Sequence, residues 1–181
     1  MRDVEHKHAI EAILFASGQP VPLSRICETL DIEPHEAKEA IESLMSSMTG
    51  GITIKRLDSS YQMCTSPNMS GVVRKALDID KNTPLSGAAF EVLAAVAYNQ
   101  PVTKAFVEQV RGVDCSGIIS SLCQRGLLEE KGRLDLPGRP LLYGTTANFL
   151  RCFDLTTLAD LPKPPNMAEQ EEDLGEPESN E

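Results

Sequence analysis

Residues 86–126 read SGAAFEVLAAVAYNQPVTKAFVEQVRGVDCSGIISSLCQRG, three apolar-striped segments separated by short polar punctuation. In the first, Phe90, Leu93, Val96 and Ala97 recur at intervals that line up one helix face, and Ser86 stands where an N-cap hydroxyl is needed. That helix ends at Asn99, before Gln100-Pro101-Val102. Thr103 can cap a second helix carrying Phe106, Val107 and Val110, which Gly112 closes. Asp114 caps a third, with Cys115, Ile118, Ile119, Leu122 and Cys123 on one face; Gly126 ends it, and Leu127 can pack back on the last turn. Leu127–Lys131 and Leu141–Tyr143 then flank a long wing containing Gly and Pro, and a last helix holds Phe149, Leu150 and Phe153. Three helices followed by a hairpin is the order of a winged-helix domain.

The same order runs upstream. A helix over Val4–Ser17 places Ile10, Ile13 and Leu14 on its apolar side and stops at Gly18. Gln19-Pro20-Val21 follows, 81 residues before its counterpart Gln100-Pro101-Val102. Ser24 is the expected N-cap of a short helix with Ile26, Cys27 and Leu30 inward, and Pro34 fits the first turn of a third. That third helix sets Ala37, Ile41, Leu44, Met45 and Met48 against Glu36, Lys38, Glu39 and Glu42, and ends at Gly50-Gly51. Ile52–Ile54 and Tyr61–Thr65, joined through Asp58-Ser59-Ser60, read as a β-hairpin. A further helix from Pro67 is expected to bury Met69, Val72, Val73, Ala76 and Leu77. The polar stretch Asp78–Pro84 reads as a linker. The expected fold is therefore mainly α with small β-hairpins (α+β), as two tandem winged-helix domains over 1–79 and 80–161 with a tail over 162–181. Domains of about 80 residues bury a limited core, so packing between subunits would help them.

Composition narrows the function classes. Hydrophobic residues make up 41% of the 181, but aromatics only 4% and Trp is absent, so the cores rest on Leu, Ile, Val, Ala and Met. No apolar run approaches the roughly 18 residues of a membrane span, and the opening MRDVEHKH is unlike a secretory signal, so a cytoplasmic protein without a membrane partner is expected. Cys27, Cys64, Cys115, Cys123 and Cys152 form no CxxC pair and are expected to be buried free thiols. Residues 162–181 set Lys163 against seven carboxylates, a net charge of −6, and leave −4 on the remainder. With four prolines and little apolar content, this tail is expected to be disordered and solubilising.

Winged helices commonly read DNA, with the third helix in the major groove. Here the first such helix carries Glu36, Glu39 and Glu42 against Lys38, and the second offers only Gln124 and Arg125, both at its far end. On the second wing Lys131, Arg133 and Arg139 are offset by Glu129, Glu130 and Asp135; Arg74-Lys75 is a local pair. The alternative of a winged-helix DNA-binding transcriptional regulator is thus disfavoured by charge. Ser116, Gly117, Ser120 and Ser121 suit close packing against another chain better than reach toward bases. His6 and His8 do not share a helix face, and His35 has no acidic partner in a recognisable motif. There is no phosphate loop, GxGxxG, HExxH or GxSxG, so no catalytic, cofactor-binding or metal residue is assigned.

Several stretches carry a family likeness. Ala9–Gly18 (AIEAILFASG) with Gln19-Pro20, then Glu91–Thr103 continued by Val110–Asp114, and above all Leu136–Thr146 (LPGRPLLYGTT) with Phe149-Leu150, resemble the segregation and condensation protein B (ScpB) family over residues 5–161. The resemblance implies a homodimer, formed mainly through the N-terminal domains, that binds the kleisin ScpA and through it reaches the SMC ATPase. It implies a role in chromosome condensation and segregation during cell division, at the nucleoid, with ATP hydrolysis left to SMC. Within the signature, Pro137, Gly138, Arg139, Pro140, Tyr143 and Gly144 match the family pattern and are candidate partner contacts without an assigned role. Gly138 permits the turn and the prolines stiffen it.

Overall fold

A computed structural model describes residues 2–78 and 84–163, with side chains from Glu5 onward. The first winged-helix unit runs α1 (Arg2–Ser17), β1 (Val21–Pro22), α2 (Leu23–Leu30), α3 (Pro34–Ser47), β2 (Ile52–Leu57) and β3 (Ser60–Thr65). A single 3-10 turn, Pro67–Met69, leads into α4 (Ser70–Ala76). The second repeats the order as α5 (Gly87–Asn99), β4 (Val102–Thr103), α6 (Lys104–Arg111), α7 (Ser116–Gln124), β5 (Leu128–Arg133) and β6 (Leu141–Thr145), then α8 (Ala147–Cys152). Each unit has a three-stranded antiparallel sheet, ordered β1-β3-β2 and β4-β6-β5. The expected break at 79/80 and the tail from 164 lie outside the described residues.

The Gln-Pro-Val repeat proves to be the entry to the short third strand. Val21 lies opposite Tyr61, and Val102 opposite Tyr143, so both units are built on the same cross-strand pair. Ile10, Leu14, Ile26, Ala37, Ile41 and Ile54 fill one core; Val92, Leu93, Val96, Val107, Ile119, Leu122 and Phe149 fill the other. The Ser86 and Thr103 hydroxyls cap α5 and α6 as expected, and Gly112 closes α6 in the left-handed conformation. Asp114 Oδ1 accepts the Ser116 amide at 3.0 Å and holds the start of α7. The Leu127 amide returns to the Leu122 carbonyl at 2.9 Å, and Leu127 is buried on the core.

Three expectations are corrected. Ser24 is not the cap of α2: the helix begins at Leu23, whose amide donates to the Ser59 carbonyl at the hairpin turn, so the sheet supplies what a hydroxyl would have supplied. The segment from Pro67 forms as a 3-10 turn and α4, but it buries none of its residues; Val72 and Leu77 are 68% and 66% exposed, Met69 and Ala76 are exposed, and Val73 is half-buried. A seven-residue helix has two turns, and no other element of the described chain covers its apolar side. Finally, Cys152 is exposed and only Cys115 is fully buried, the other three thiols being intermediate.

Candidate partner-binding surfaces

The two helices that would enter a DNA groove present no basic surface. Helix α7 has no ionisable side chain apart from Cys123, and its Ser116 hydroxyl is taken by Asp114 at 2.6 Å and by Lys104 Nζ at 2.9 Å. Those contacts act on Asp114: the Ser116 hydroxyl first, then the Ser116 amide, hold its carboxyl at about 2, below the usual carboxylate range. On α3, Glu36 is spent on a capping box, its Oε2 accepting the Glu33 amide at 3.0 Å.

The second wing is long because β5 continues to Arg133 and the chain returns only at Leu141. Its tip is ordered by its own backbone: the Leu134 amide bonds the Pro140 carbonyl at 2.9 Å, and the Arg139 amide bonds that of Leu136 at 2.8 Å. Gly138 and Arg139 both have positive φ, 84° and 41°, which explains the glycine. Arg133 reaches across to the Arg139 carbonyl at 3.0 Å, and Lys131 pairs with Glu129, so two of the wing's three cations serve the wing itself. Leu136, Pro137, Gly138 and Arg139 are exposed at the tip, while Pro140 and Tyr143 are half-buried and Gly144 is buried at the base. The six signature residues are therefore split between an exposed turn and a packed base. Burial, with Glu130 opposite it on the ladder, pushes the Tyr143 phenol up.

The histidines fall into two places. His6 and His35 line one shallow polar pocket of about 360 Å³ with Lys7, Glu36 and Glu39, a juxtaposition the sequence does not reveal. His8 faces another groove, of about 550 Å³, with Ala12, Phe15, Met48, Ile52 and Met63. Among the described residues no group of three His, Cys, Asp or Glu side chains is arranged to hold a metal. The second groove is apolar and open, and Phe15 at its rim is 72% exposed. Met69, in the turn before α4, comes close to Gly51, one of the residues lining this groove. The apolar residues of α4 stay uncovered, although their spacing is that of a core helix.

The family model "Segregation and condensation complex subunit ScpB" matches residues 8–164. The chain belongs to the ScpB family. A segregation and condensation protein B of Ruminiclostridium cellulolyticum is 44% identical over 156 residues, covering 84% of this chain and 82% of the relative. One from Agathobacter rectalis is 42% identical over 163 residues, covering 88% and 87%. A crystallised dimer of an ScpB N-terminal domain in complex with an ScpA peptide is 30% identical, with a TM-score of 0.37 over 39% of this chain and 91% of its own. The ScpB match spans both winged-helix units, the signature wing included. Among the described residues no helix is long and apolar enough to cross a membrane.

Proposed function

We propose that this ScpB-family chain is a non-catalytic subunit of a bacterial SMC–ScpA–ScpB complex, acting in chromosome condensation and segregation during cell division. In this reading it is a homodimer through the domain spanning residues 1–79. Together with the domain over 80–161 it binds the kleisin ScpA and reaches SMC through ScpA, in the cytoplasm at the nucleoid. No cofactor is needed. The exposed turn of the signature wing, Pro137-Gly138-Arg139, is proposed as a partner contact, and Tyr143 and Gly144 as its packed support.

The observation that carries the reading, beyond family membership, is the uncovered apolar side of α4. Val72 and Leu77 together would add several kcal/mol if covered, at about 25 cal/mol per Å² of apolar surface removed from water. A soluble chain with this much apolar surface at one end gains by pairing it. Size-exclusion chromatography with light scattering, on the protein alone and mixed with its cognate ScpA, tests the proposal. The expected result is a dimer that shifts into a defined complex with ScpA. A monomer, or a dimer that ignores ScpA, would overturn it.

A further inference from the structure

The turn joining β2 to β3 is polar and exposed at Asp58 and Ser59, but the residue that leads into it is neither. Leu57, the last residue of β2, is 2% exposed, and it packs with the core of the second unit, not with Ile54 and Tyr61 of its own. The next residue, Asp58, adopts a positive φ of 57°. Its amide has no partner in its own hairpin and donates instead to the Thr156 carbonyl at 2.7 Å, 98 positions along the chain. Two strand residues before Leu57, Lys55 Nζ meets Asp154 Oδ1 at 2.5 Å, and Arg151 Nη1 reaches Gln62 Oε1 on β3 at 3.4 Å. Gln62 is itself 4% exposed and fixed by a 3.0 Å bond from its Nε2 to the Gly18 carbonyl. An apolar plug, a backbone bond, an ion pair and a side-chain bond therefore converge on residues 150–158 from β2, β3 and the turn between them.

We infer that the β2–β3 turn is a latch: Leu57, Asp58 and Lys55 hold the second winged-helix unit in one orientation, so that the chain meets its partners as one rigid body. The ion pair is partly sheltered, since the Lys55 side chain is only 21% exposed, and it holds the Asp154 carboxyl below its ordinary range. The plug is the larger element, because withdrawing Leu57 would open an apolar socket in the second core as well as wet the leucine. The Leu57 side chain, buried in the second core, is also unavailable to any third molecule. The open cleft of about 720 Å³ beside it, lined by Ser59, Ser60, Gln100 and Lys131 among others, keeps a fixed width as long as the latch holds.

The Asp58 amide reports on the latch alone. In the full-length protein, residue-resolved amide hydrogen exchange should find it slowed by roughly tenfold or more, as expected of an amide bonded within the fold. Lys55→Glu, which faces Asp154 with a like charge, and Leu57→Ser should each return it to within about threefold of the free-peptide rate. The amides of Ile41 and Val96, in the two separate cores, should stay protected in Lys55→Glu, a surface change that leaves both cores intact. A fast-exchanging Asp58 amide in the unaltered protein would overturn the latch. So would protection that survives Lys55→Glu and Leu57→Ser alike, or protection that vanishes on dilution, which would put the acceptor on a second copy.

Discussion

At Gly144 a side chain would have nowhere to go. A Cβ there would lie 2.7 Å from Gln100 Oε1 and 2.9 Å from two carbons of Lys131. Lys131 can swing away, but Gln100 cannot do so freely: its Oε1 accepts the Thr145 amide at 2.6 Å and its Nε2 donates to the Thr145 hydroxyl at 2.8 Å, where Thr145 is buried. Gly144→Ala should therefore cost about 1–3 kcal/mol, read as a lower midpoint in urea unfolding. Combined with Gln100→Ala it should cost less than the sum, because both act on one network. The sequence marks Gly144 as part of a signature and cannot say why, since the atom that demands a glycine sits 44 residues away. Asp114 shows the opposite case, a contact legible from its own neighbourhood: it stands one residue before Cys115, the N-cap of α7, and accepts from the Ser116 amide and hydroxyl. Its carboxyl titrates at about 2 in the folded chain, below the ordinary value of 3.8. A depressed folded value favours the fold above the unfolded value, and that contribution fades as pH falls from about 4 through about 2. Ser116→Ala removes the largest cause, so an NMR titration should find the Asp114 midpoint moved up toward the ordinary range.

Elements whose partners lie nearby in the chain are legible in the sequence, and the one left uncovered is not. The α5 and α6 starts follow from Ser86 and Thr103 because a cap is a contact across two or three residues. Helix α7, by contrast, has Cys115 at its N-cap and Asp114 one residue before it, accepting the Ser116 amide. Helix α8 adds Thr146, whose Oγ1 accepts the Phe149 amide at 3.1 Å and donates to the Gly126 carbonyl at 2.6 Å. It thus caps α8 while tying down the end of α7, and Thr146→Ala should cost about 1–2 kcal/mol in thermal or chemical unfolding. Helix α4 reads as a core helix because Met69, Val72, Val73, Ala76 and Leu77 have the spacing of one, but periodicity says only that a face is apolar, not what covers it. If a second copy covers it, Val72→Glu with Leu77→Glu should halve the mass seen by light scattering. The helical signal in circular dichroism should be nearly unchanged, because neither side chain contributes to the core of its own unit.

For the whole molecule, fold and charge together decide how a winged-helix chain is used. The duplicated order of helices and strands is legible because each unit is built from local pattern; the latch between them is not, because Leu57, Lys55 and Asp58 find their partners about 90 to 100 residues away. The electrostatic argument needs no such distance. A protein gains affinity for duplex DNA by displacing counterions with Lys and Arg, and this chain carries a net charge of −10. Its α7 has no cation to offer, α3 carries a net −2, and the second wing turns Arg133 and Lys131 onto its own backbone and Glu129. The first wing is turned inward at Leu57. Fluorescence anisotropy with a labelled duplex in about 0.15 M salt should therefore show no saturation at protein concentrations of about 10 μM, well inside the roughly 10⁻⁴–10⁻⁶ M range in which DNA-binding proteins hold even nonspecific duplex. Lowering the salt tests the cause. A DNA reader would bind with a steep log–log slope as salt falls, whereas here any phosphate that a scattered cation attracts is repelled by the carboxylates beside it. A shallow or absent response is the expected result, and a slope equivalent to several phosphates would return the protein to the class of DNA-binding regulators.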